Sequence, residues 1–301
     1  MNLPTPQGAT GPGASGAASA WDRAADGWDR STPLIHAWLA PATAAMLARL
    51  RLRPGARVLD LAAGAGDQTK DVAQAVGPTG YVVATDISPR ILAFAQRNLG
   101  AAGLAHVRYA VADAEQAVPG EAPFDAVLCR LGLMLCANPA AALASAFEAL
   151  RPGGRFAALV FGEPAHNPCI TTLMRLARQH RGLNGGASPY TAGGLFSLAE
   201  PGRLAGLLAA AGYADIEVEP LAAPFALPDV ATYIAFVRDS GSPIMELLAP
   251  LDPSAQAAAW QAMAAALQPF TGERGWVGPN ELLLCSATRP LTHWCPGATG
   301  H

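Results

Sequence analysis

The sequence has little of what nucleic-acid-binding, disulfide-bonded and membrane-spanning proteins require. Charged residues form 14% of its 301 residues, Lys70 is the only lysine and there is no basic tract, so nucleic acid is not an expected partner. The five cysteines are odd in number and no two have C-x-x-C spacing, which favours a reduced, cytoplasmic chain. No apolar run is long enough to span a bilayer, so no membrane span is expected. There is also no cluster of metal ligands, and we expect no bound metal.

Apolar residues, in contrast, form 51% of the chain, which is enough for a large core. Residues 1–18 are mostly Gly, Ala, Pro, Ser and Thr, a composition that predicts a disordered leader. We expect an N-terminal helical cap over 19–50 and the core over 51–162. Residues 163–290 are expected to complete the sheet and to carry lid insertions over the substrate, and 291–301 to form an irregular tail.

Short apolar runs alternate with segments of helical spacing from residue 55 to residue 162. The runs RVLDLA, GYVVATD, HVRYAV, FDAVLC and RFAALVF predict five strands. Strands that alternate with helices in this way indicate a parallel sheet covered by helices on both sides. Because ligands of such sheets bind at the carboxyl ends of the strands, the residues that follow each strand are the candidates for a binding site.

The first two strand ends have the pattern of a nucleotide site. The first strand leads into the loop of VLDLAAGAGDQT, residues 58 to 69, whose small residues would let a ligand approach the backbone closely. The second strand ends at Asp86, where a carboxylate can hold ribose hydroxyls. A dinucleotide-binding domain shares both features, but it would have a third glycine where this chain has Thr69, which weakens the case for a pyrophosphate.

The motifs at these strand ends resemble those of class I S-adenosylmethionine-dependent methyltransferases. VLDLAAGAGDQT, ATDIS, ADAE, FDAV and LRPGGR follow one another in register, and they are most similar to those of the ubiquinone/menaquinone C-methyltransferase group. The resemblance implies a Rossmann-like, doubly wound α/β fold, with a mostly parallel seven-stranded sheet and helical lid insertions. It fades after Pro164, where such enzymes choose their substrate.

The resemblance also implies that S-adenosyl-L-methionine is the cofactor. The glycine loop would face its methionine part, the second strand end its ribose and adenine, and the third the adenine edge. The fourth strand end would lie near the methionyl carboxylate or the methyl exit, and an aromatic residue of WDRAADGWDR would close the site. The cofactor-binding residues implied in this way are Trp28, Asp60, Ala62, Gly64, Gly66, Thr69, Asp86, Ile87, Asp113, Ala114, Arg130 and Leu131.

Several of these residues also have simpler interpretations. Trp28 could belong to an ordinary apolar face, and Asp60 could support the loop backbone without touching a cofactor. Arg130 could be a salt-bridge partner. Asp86 could cap the following helix, although Ser88 already supplies a cap.

A methyl acceptor that carries an acidic proton would need a general base. His36, His166, His180 and Glu163 are the candidates. We select His166 because it follows the fifth strand, on the face where substrate should lie. A solvated loop histidine is the alternative for this residue.

The favoured hypothesis is therefore a methyltransferase that acts on a small hydrophobic or aromatic molecule, with a quinone-, phenol- or polyketide-like acceptor, as in secondary metabolism. We expect a small-molecule substrate and a homodimer. One rival keeps the bound cofactor but uses it without methyl transfer, for example in a cyclisation. A nicotinamide oxidoreductase and an RNA methyltransferase are further rivals, disfavoured by the missing glycine and by the scarcity of basic residues, respectively.

Overall fold

The computed structural model describes residues 12–116, 123–183, 185, 188–240 and 243–291. In chain order, the strands are β1 (Arg57–Leu61), β2 (Tyr81–Asp86), β3 (Val107–Val111), β4 (Phe124–Arg130), β5 (Leu150–Phe161), β6 (Ala214–Ala222), β7 (Phe225–Leu227), β8 (Thr271–Gly272), β9 (Gly275–Gly278) and β10 (Glu281–Thr288). The α-helices are α1 (Pro12–Leu50), α2 (Asp67–Val76), α3 (Pro89–Ala101), α4 (Pro139–Ala149), α5 (Pro168–His180), α6 (Arg203–Ala210), α7 (Val230–Asp239), α8 (Pro243–Leu248) and α9 (Pro253–Leu267).

Seven strands form the central sheet, in the order β3-β2-β1-β4-β5-β10-β6. Strands β1 to β5 pair in parallel, whereas β10 is antiparallel to both β5 and β6. The order reverses between β1 and β4, which is the switch point at which doubly wound sheets bind ligands. The expected Rossmann-like, mostly parallel seven-stranded fold is confirmed.

The N-terminal helix is longer than the sequence predicted. Helix α1 begins at Pro12 and continues through Pro33 and Pro41 to Leu50, so residues 12–18 are helical rather than part of a disordered leader. Residues 1–11 of that leader, and residues 292–301 of the predicted tail, lie outside the described part of the chain.

A smaller three-stranded sheet, in the order β7-β9-β8, lies beside the central sheet. It contributes to a second apolar cluster that is built from α5, α7, α8, α9, β7 and β9. The ring of Trp276 is fully buried there and stacks on Tyr233, with 4.7 Å between the ring centroids. The residues after the fifth strand therefore add a separate helical layer as well as β6 and β10 of the central sheet.

Within the described ranges, no helix has both the length and the apolar character that a bilayer-spanning segment requires.

Candidate cofactor site

The loop after β1 has a backbone that suits close approach by a ligand. Gly64 and Gly66 have φ angles of 59° and 88°, in the left-handed region that glycine adopts without a steric cost. A Cβ at Gly66 would lie 3.1 Å from the Cβ of Ala95 and from Cδ1 of Leu99. Glycine is therefore required at Gly66 both by conformation and by the packing of the loop against α3.

Two non-glycine residues, which adopt positive φ angles only at a steric cost, also have a left-handed backbone here. Ala62 follows β1 with a φ of 54°, and Leu131 follows the neighbouring β4 with a φ of 58°. The two turns touch, because a Cβ on Gly132 would lie 2.4 Å from the Cβ of Ala62. Each non-glycine residue held in this region costs roughly 1–3 kcal/mol, and such residues concentrate at ligand sites.

Asp86 joins the end of β2 to the glycine loop. Its Oδ2 accepts a hydrogen bond from the backbone N–H of Gly64 at 3.0 Å, and its Oδ1 accepts one from the N–H of Ser88 at 2.9 Å. The cap of α3 is Ser88 itself, whose Oγ accepts from the N–H of Ile91. Burial raises the pKa of Asp86 above its usual range. Each carboxylate oxygen still has a lone pair for a ligand hydroxyl.

Asp60 and Thr69 are fully buried, so neither side chain reaches open space. The Thr69 hydroxyl donates to Oδ2 of Asp60 at 2.6 Å, and the Gln68 amide donates to Oδ1 at 3.3 Å. Burial raises the pKa of Asp60 to about 7. This arrangement matches the simpler interpretation of Asp60 as a support for the loop. It also turns Thr69 inward, away from the ligand-facing role that the sequence suggested.

Arg130 forms a buried ion pair. Its Nη2 donates to both carboxylate oxygens of Asp67, at 2.6 and 2.7 Å, and its Nη1 donates to the Thr43 hydroxyl at 3.0 Å. The two charged side chains are only 4% and 6% exposed. Arg130 thus ties the end of β4 to the start of α2 and to α1, as its salt-bridge interpretation predicted, and its guanidinium is already engaged by protein groups.

The remaining predicted contacts, Ile87, Asp113, Ala114 and Leu131, are half-buried at the ends of β2, β3 and β4. The Asp113 carboxylate accepts from the N–H of Glu115 at 3.0 Å, which holds the turn after β3. The structure therefore gathers these four residues along the same sheet edge as Asp86 and the glycine loop.

The N-terminal half of α1 lies across this edge. Nε1 of Trp28 is 3.0 Å from the position that a Cβ of Gly64 would take, so the indole covers the glycine loop. Three acids of α1, each about one helical turn from the next, bind this helix to α3. Asp22 accepts a hydrogen bond from Ser88, and Asp26 pairs with Arg90. Asp29 pairs with Arg97 at 2.7 Å and accepts a hydrogen bond from Asn98 at 3.2 Å. Sequence reasoning missed these acids, although their spacing of four and three residues places them on one helix face.

Comparison with known proteins agrees with this geometry. Residues 58–154 match the family model described as a methyltransferase domain. This segment resembles that family and is called the methyltransferase domain below. It is 41% identical over 120 residues to the ubiquinone/menaquinone biosynthesis C-methyltransferase UbiE of Ectopseudomonas mendocina, covering 40% of this chain and 46% of that protein. The predicted resemblance to class I S-adenosylmethionine-dependent methyltransferases is confirmed. The chain spans less than half the length of the curated relatives that it matches.

Solved structures share the fold of the methyltransferase domain and of much of the remaining chain. Phosphoethanolamine N-methyltransferase 2 of Haemonchus contortus, in complex with phosphomonomethylethanolamine and S-adenosylhomocysteine, has a TM-score of 0.55 and 18% identity; the match covers 91% of this chain and 60% of that chain. The 4+2 cyclase SpnF has a TM-score of 0.53 and 17% identity, over 97% of this chain and 100% of that chain. At these identities the likeness shows the fold alone.

His166 follows β5 at the same sheet edge of the methyltransferase domain. Its Nδ1 lies 2.8 Å from Oε1 of Glu281, the first residue of β10, which reaches this edge because β10 is antiparallel to β5. The hydrogen bond and the charge of Glu281 raise the pKa of His166. The imidazole is 57% exposed, and Glu281 was not among the residues that the sequence suggested.

An aromatic cluster joins the end of β5 to the smaller sheet. Trp38 of α1 stacks on Phe225 with 3.9 Å between ring centroids and lies 6.5 Å from both Phe161 and Phe236. Its Nε1–H donates to the carbonyl of Ala223 at 2.7 Å. These rings connect the core of the central sheet to the second apolar cluster, and Phe161 and Phe225 are both buried.

Proposed function

We propose that this protein is an S-adenosylmethionine-dependent methyltransferase that acts on a small hydrophobic or aromatic acceptor. The single observation that carries the proposal is the position of Asp86. In a chain with a methyltransferase domain, its carboxylate lies at the switch point of the sheet and accepts the N–H of Gly64 in the glycine loop.

The residues present fit the cofactor. Asp86 has spare acceptor lone pairs for the two ribose hydroxyls, and the half-buried Asp113 and Ala114 border the place for the adenine. The left-handed turn at Ala62 and Gly64 lies at the edge where the methionine part would be held. The role of Arg130 as a direct cofactor contact is not part of this proposal, because Asp67 already engages its guanidinium.

The bound cofactor would supply a methyl group made electrophilic by a positively charged sulfur. The chain's own task is then to align the acceptor and to exclude water. Trp28 and the acids of α1 serve the second purpose, since they hold the N-terminal helix against the glycine loop and α3.

His166 is our proposed general base for acceptors that must lose a proton. With Nδ1–H donating to the carboxylate of Glu281, the free Nε2 can take a proton from a phenol or an enol. The curated relatives are named for methylation in ubiquinone and menaquinone biosynthesis, and on that similarity we propose a quinone-, phenol- or polyketide-like acceptor. We propose a cytoplasmic location for the reaction, in keeping with the reduced cysteines expected from the sequence.

Calorimetric titration with S-adenosylmethionine and S-adenosylhomocysteine tests the cofactor site. Loss of two hydrogen bonds to a carboxylate, each worth about 1.5–3 kcal/mol, should weaken binding by about a hundredfold or more in Asp86→Ala. Glu273→Ala, at an exposed position in the turn between β8 and β9, is the matched control and should bind like the wild type. Unchanged affinity of the Asp86→Ala variant would refute the site.

Methyl transfer itself is tested with a cofactor that carries an isotopically labelled methyl group and a panel of quinones, phenols and enols. Label in the product supports the proposal. Product formed equally well with S-adenosylhomocysteine, which has no methyl group to give, would show that the bound cofactor is not consumed and would overturn it.

A further inference from the structure

A cavity lies at the opposite edge of the central sheet. It has a volume of about 460 Å³ and is lined by the end of α1, the turn before β1 and the amino-terminal ends of β4 and β5. Because β1 is five residues long and a strand rises about 3.3 Å per residue, this cavity is separated from the glycine loop by roughly 16 Å of strand. A ligand bound here would not touch the candidate cofactor site.

The lining of the cavity is strongly basic. Arg51, Arg53, Arg151 and Arg155 all line it, and Asp125 is the one acid among the lining residues. The chain as a whole carries a net charge of -3, so this local excess runs against the overall balance. Four cations beside a single acid repel one another, and an anion among them would relieve that repulsion.

Two of the four arginines are already engaged by protein groups. Nε of Arg151 pairs with Oδ1 of Asp125 at 2.7 Å, and Nη1 of Arg155 donates to the carbonyl of Arg49 at 3.0 Å. The guanidinium groups of Arg51 and Arg53, by contrast, make no hydrogen bond or ion pair within the described part of the chain. These two guanidinium groups have no partner among the described residues and could bind a ligand, while Asp125 and the Arg49 carbonyl hold the other two in place.

The backbone at Arg51 is an independent observation at the same place. Arg51 follows the last residue of α1 with a φ of 50°, in the left-handed conformation that usually ends a helix with glycine or asparagine. A side chain there costs roughly 1–2 kcal/mol. Glycine at position 51 would relieve this strain. It would also remove from the cavity one of the two guanidinium groups that have no described partner.

We infer that this cavity is a binding site for a small phosphate-bearing anion. The planar guanidinium matches phosphate oxygens in a bidentate manner, and the volume lies within the usual range of small-ligand pockets, about 300–1,000 Å³. Free pyrophosphate and the diphosphate group of a larger ester present the same oxygens. The inference does not depend on the proposed methyltransferase function.

Calorimetric titration of the full chain with inorganic pyrophosphate, at constant ionic strength and with S-adenosylhomocysteine present, tests the site. We expect saturable binding of one anion per chain, weakened about tenfold in Arg53→Gln and further in Arg53→Glu. The exposed Arg53 side chain makes no hydrogen bond or ion pair with a described residue, so its replacement should not alter folding. Arg274→Gln, at an exposed position in the turn between β8 and β9, is the matched control and should bind like the wild type.

Parallel titrations with a diphosphate monoester and with citrate define the ligand. Tighter binding of the ester than of pyrophosphate identifies an esterified ligand, and tighter binding of pyrophosphate identifies the free anion; both support the site. Absence of saturable binding, an equal loss in Arg274→Gln, citrate binding as tight as that of pyrophosphate, or displacement of pyrophosphate by S-adenosylhomocysteine would overturn the inference.

Discussion

Replacing Arg130 with methionine separates two interpretations of this residue. In the structure, Arg130 is bound to both carboxylate oxygens of Asp67, and both side chains are almost fully excluded from water. Methionine approximates the length of the arginine stem, so the principal loss is that of the charge and of its hydrogen bonds. The variant leaves the Asp67 carboxylate buried without its cation.

The expected cost follows from the burial and the short distances of the pair. Two unit charges about 4 Å apart attract by about 4 kcal/mol at an effective dielectric constant near 20, and removing one partner of a buried pair costs about 3–5 kcal/mol. Asp67 is the first residue of α2, and the positive end of that helix returns up to about 2 kcal/mol to the remaining carboxylate. We therefore expect Arg130→Met to lower the free energy of unfolding by about 2–4 kcal/mol. Asp67→Asn, which leaves the buried Arg130 without its anion and with only a neutral amide oxygen and Thr43 as acceptors, should cost about 3–5 kcal/mol.

Urea denaturation of the two single variants and of the double variant measures these values. The double variant should be more stable than the sum of the single losses predicts, since neither charge is then left alone. Arg97→Met is the matched control for an exposed pair, because Arg97 is 57% exposed in its ion pair with Asp29, and it should cost about 1 kcal/mol or less. If Arg130→Met kept full stability but abolished S-adenosylmethionine binding, Arg130 would be a cofactor contact and the reasoning would be wrong.

Two further predictions concern buried groups near the site. The pKa of Asp60 is raised from 3.8 to about 7; its folded value exceeds its unfolded value, so the stability that it contributes is present below about pH 4 and is lost as pH rises towards 7. Asp60→Asn should remove this pH-dependent loss of unfolding free energy, which for about three pKa units amounts to about 4 kcal/mol. Identical pH profiles of stability in the wild type and the variant would contradict the prediction. Trp38→Ala removes the stacking on Phe225 and leaves the carbonyl of Ala223 unpaired, and it should cost about 3 kcal/mol in urea denaturation. Trp38→Phe should recover about half of that loss, and an equal loss in both variants would show that the ring contributes little.

Much of the geometry of the candidate cofactor site could be predicted because its signals are local in the chain. The glycine loop, the acid at the end of β2 and the strand–helix alternation each occupy a short segment, and backbone sterics and burial act on such segments directly. The parallel sheet then brings the strand ends together regardless of how far apart they are in sequence. For this reason the strand pattern alone was enough to assign Asp86, Asp113 and Leu131 to one edge of the sheet.

Other features depend on partners that are distant in the sequence. Arg130 pairs with Asp67 across 63 residues, and His166 pairs with Glu281 across 115. A charged residue could pair with many oppositely charged residues of the sequence. Which pair forms depends on desolvation and geometry, and these are set only when the helices and strands pack together. The inward orientation of Thr69 was missed for the same reason, since hydrogen bonding to a buried carboxylate cannot be distinguished from exposure by spacing alone.

By itself the sequence determined the fold class of the core, the order of its elements and the place of the glycine loop after β1, because periodicity and glycine placement restrict the backbone locally. Only the tertiary structure decided which charges are paired and which stay open. It joined Arg130 to Asp67 and closed the glycine loop with Trp28. Among the described residues it gave the guanidinium groups of Arg51 and Arg53 no partner at the far end of the sheet, because the energy of a charge depends on the neighbours and the solvent that folding places around it.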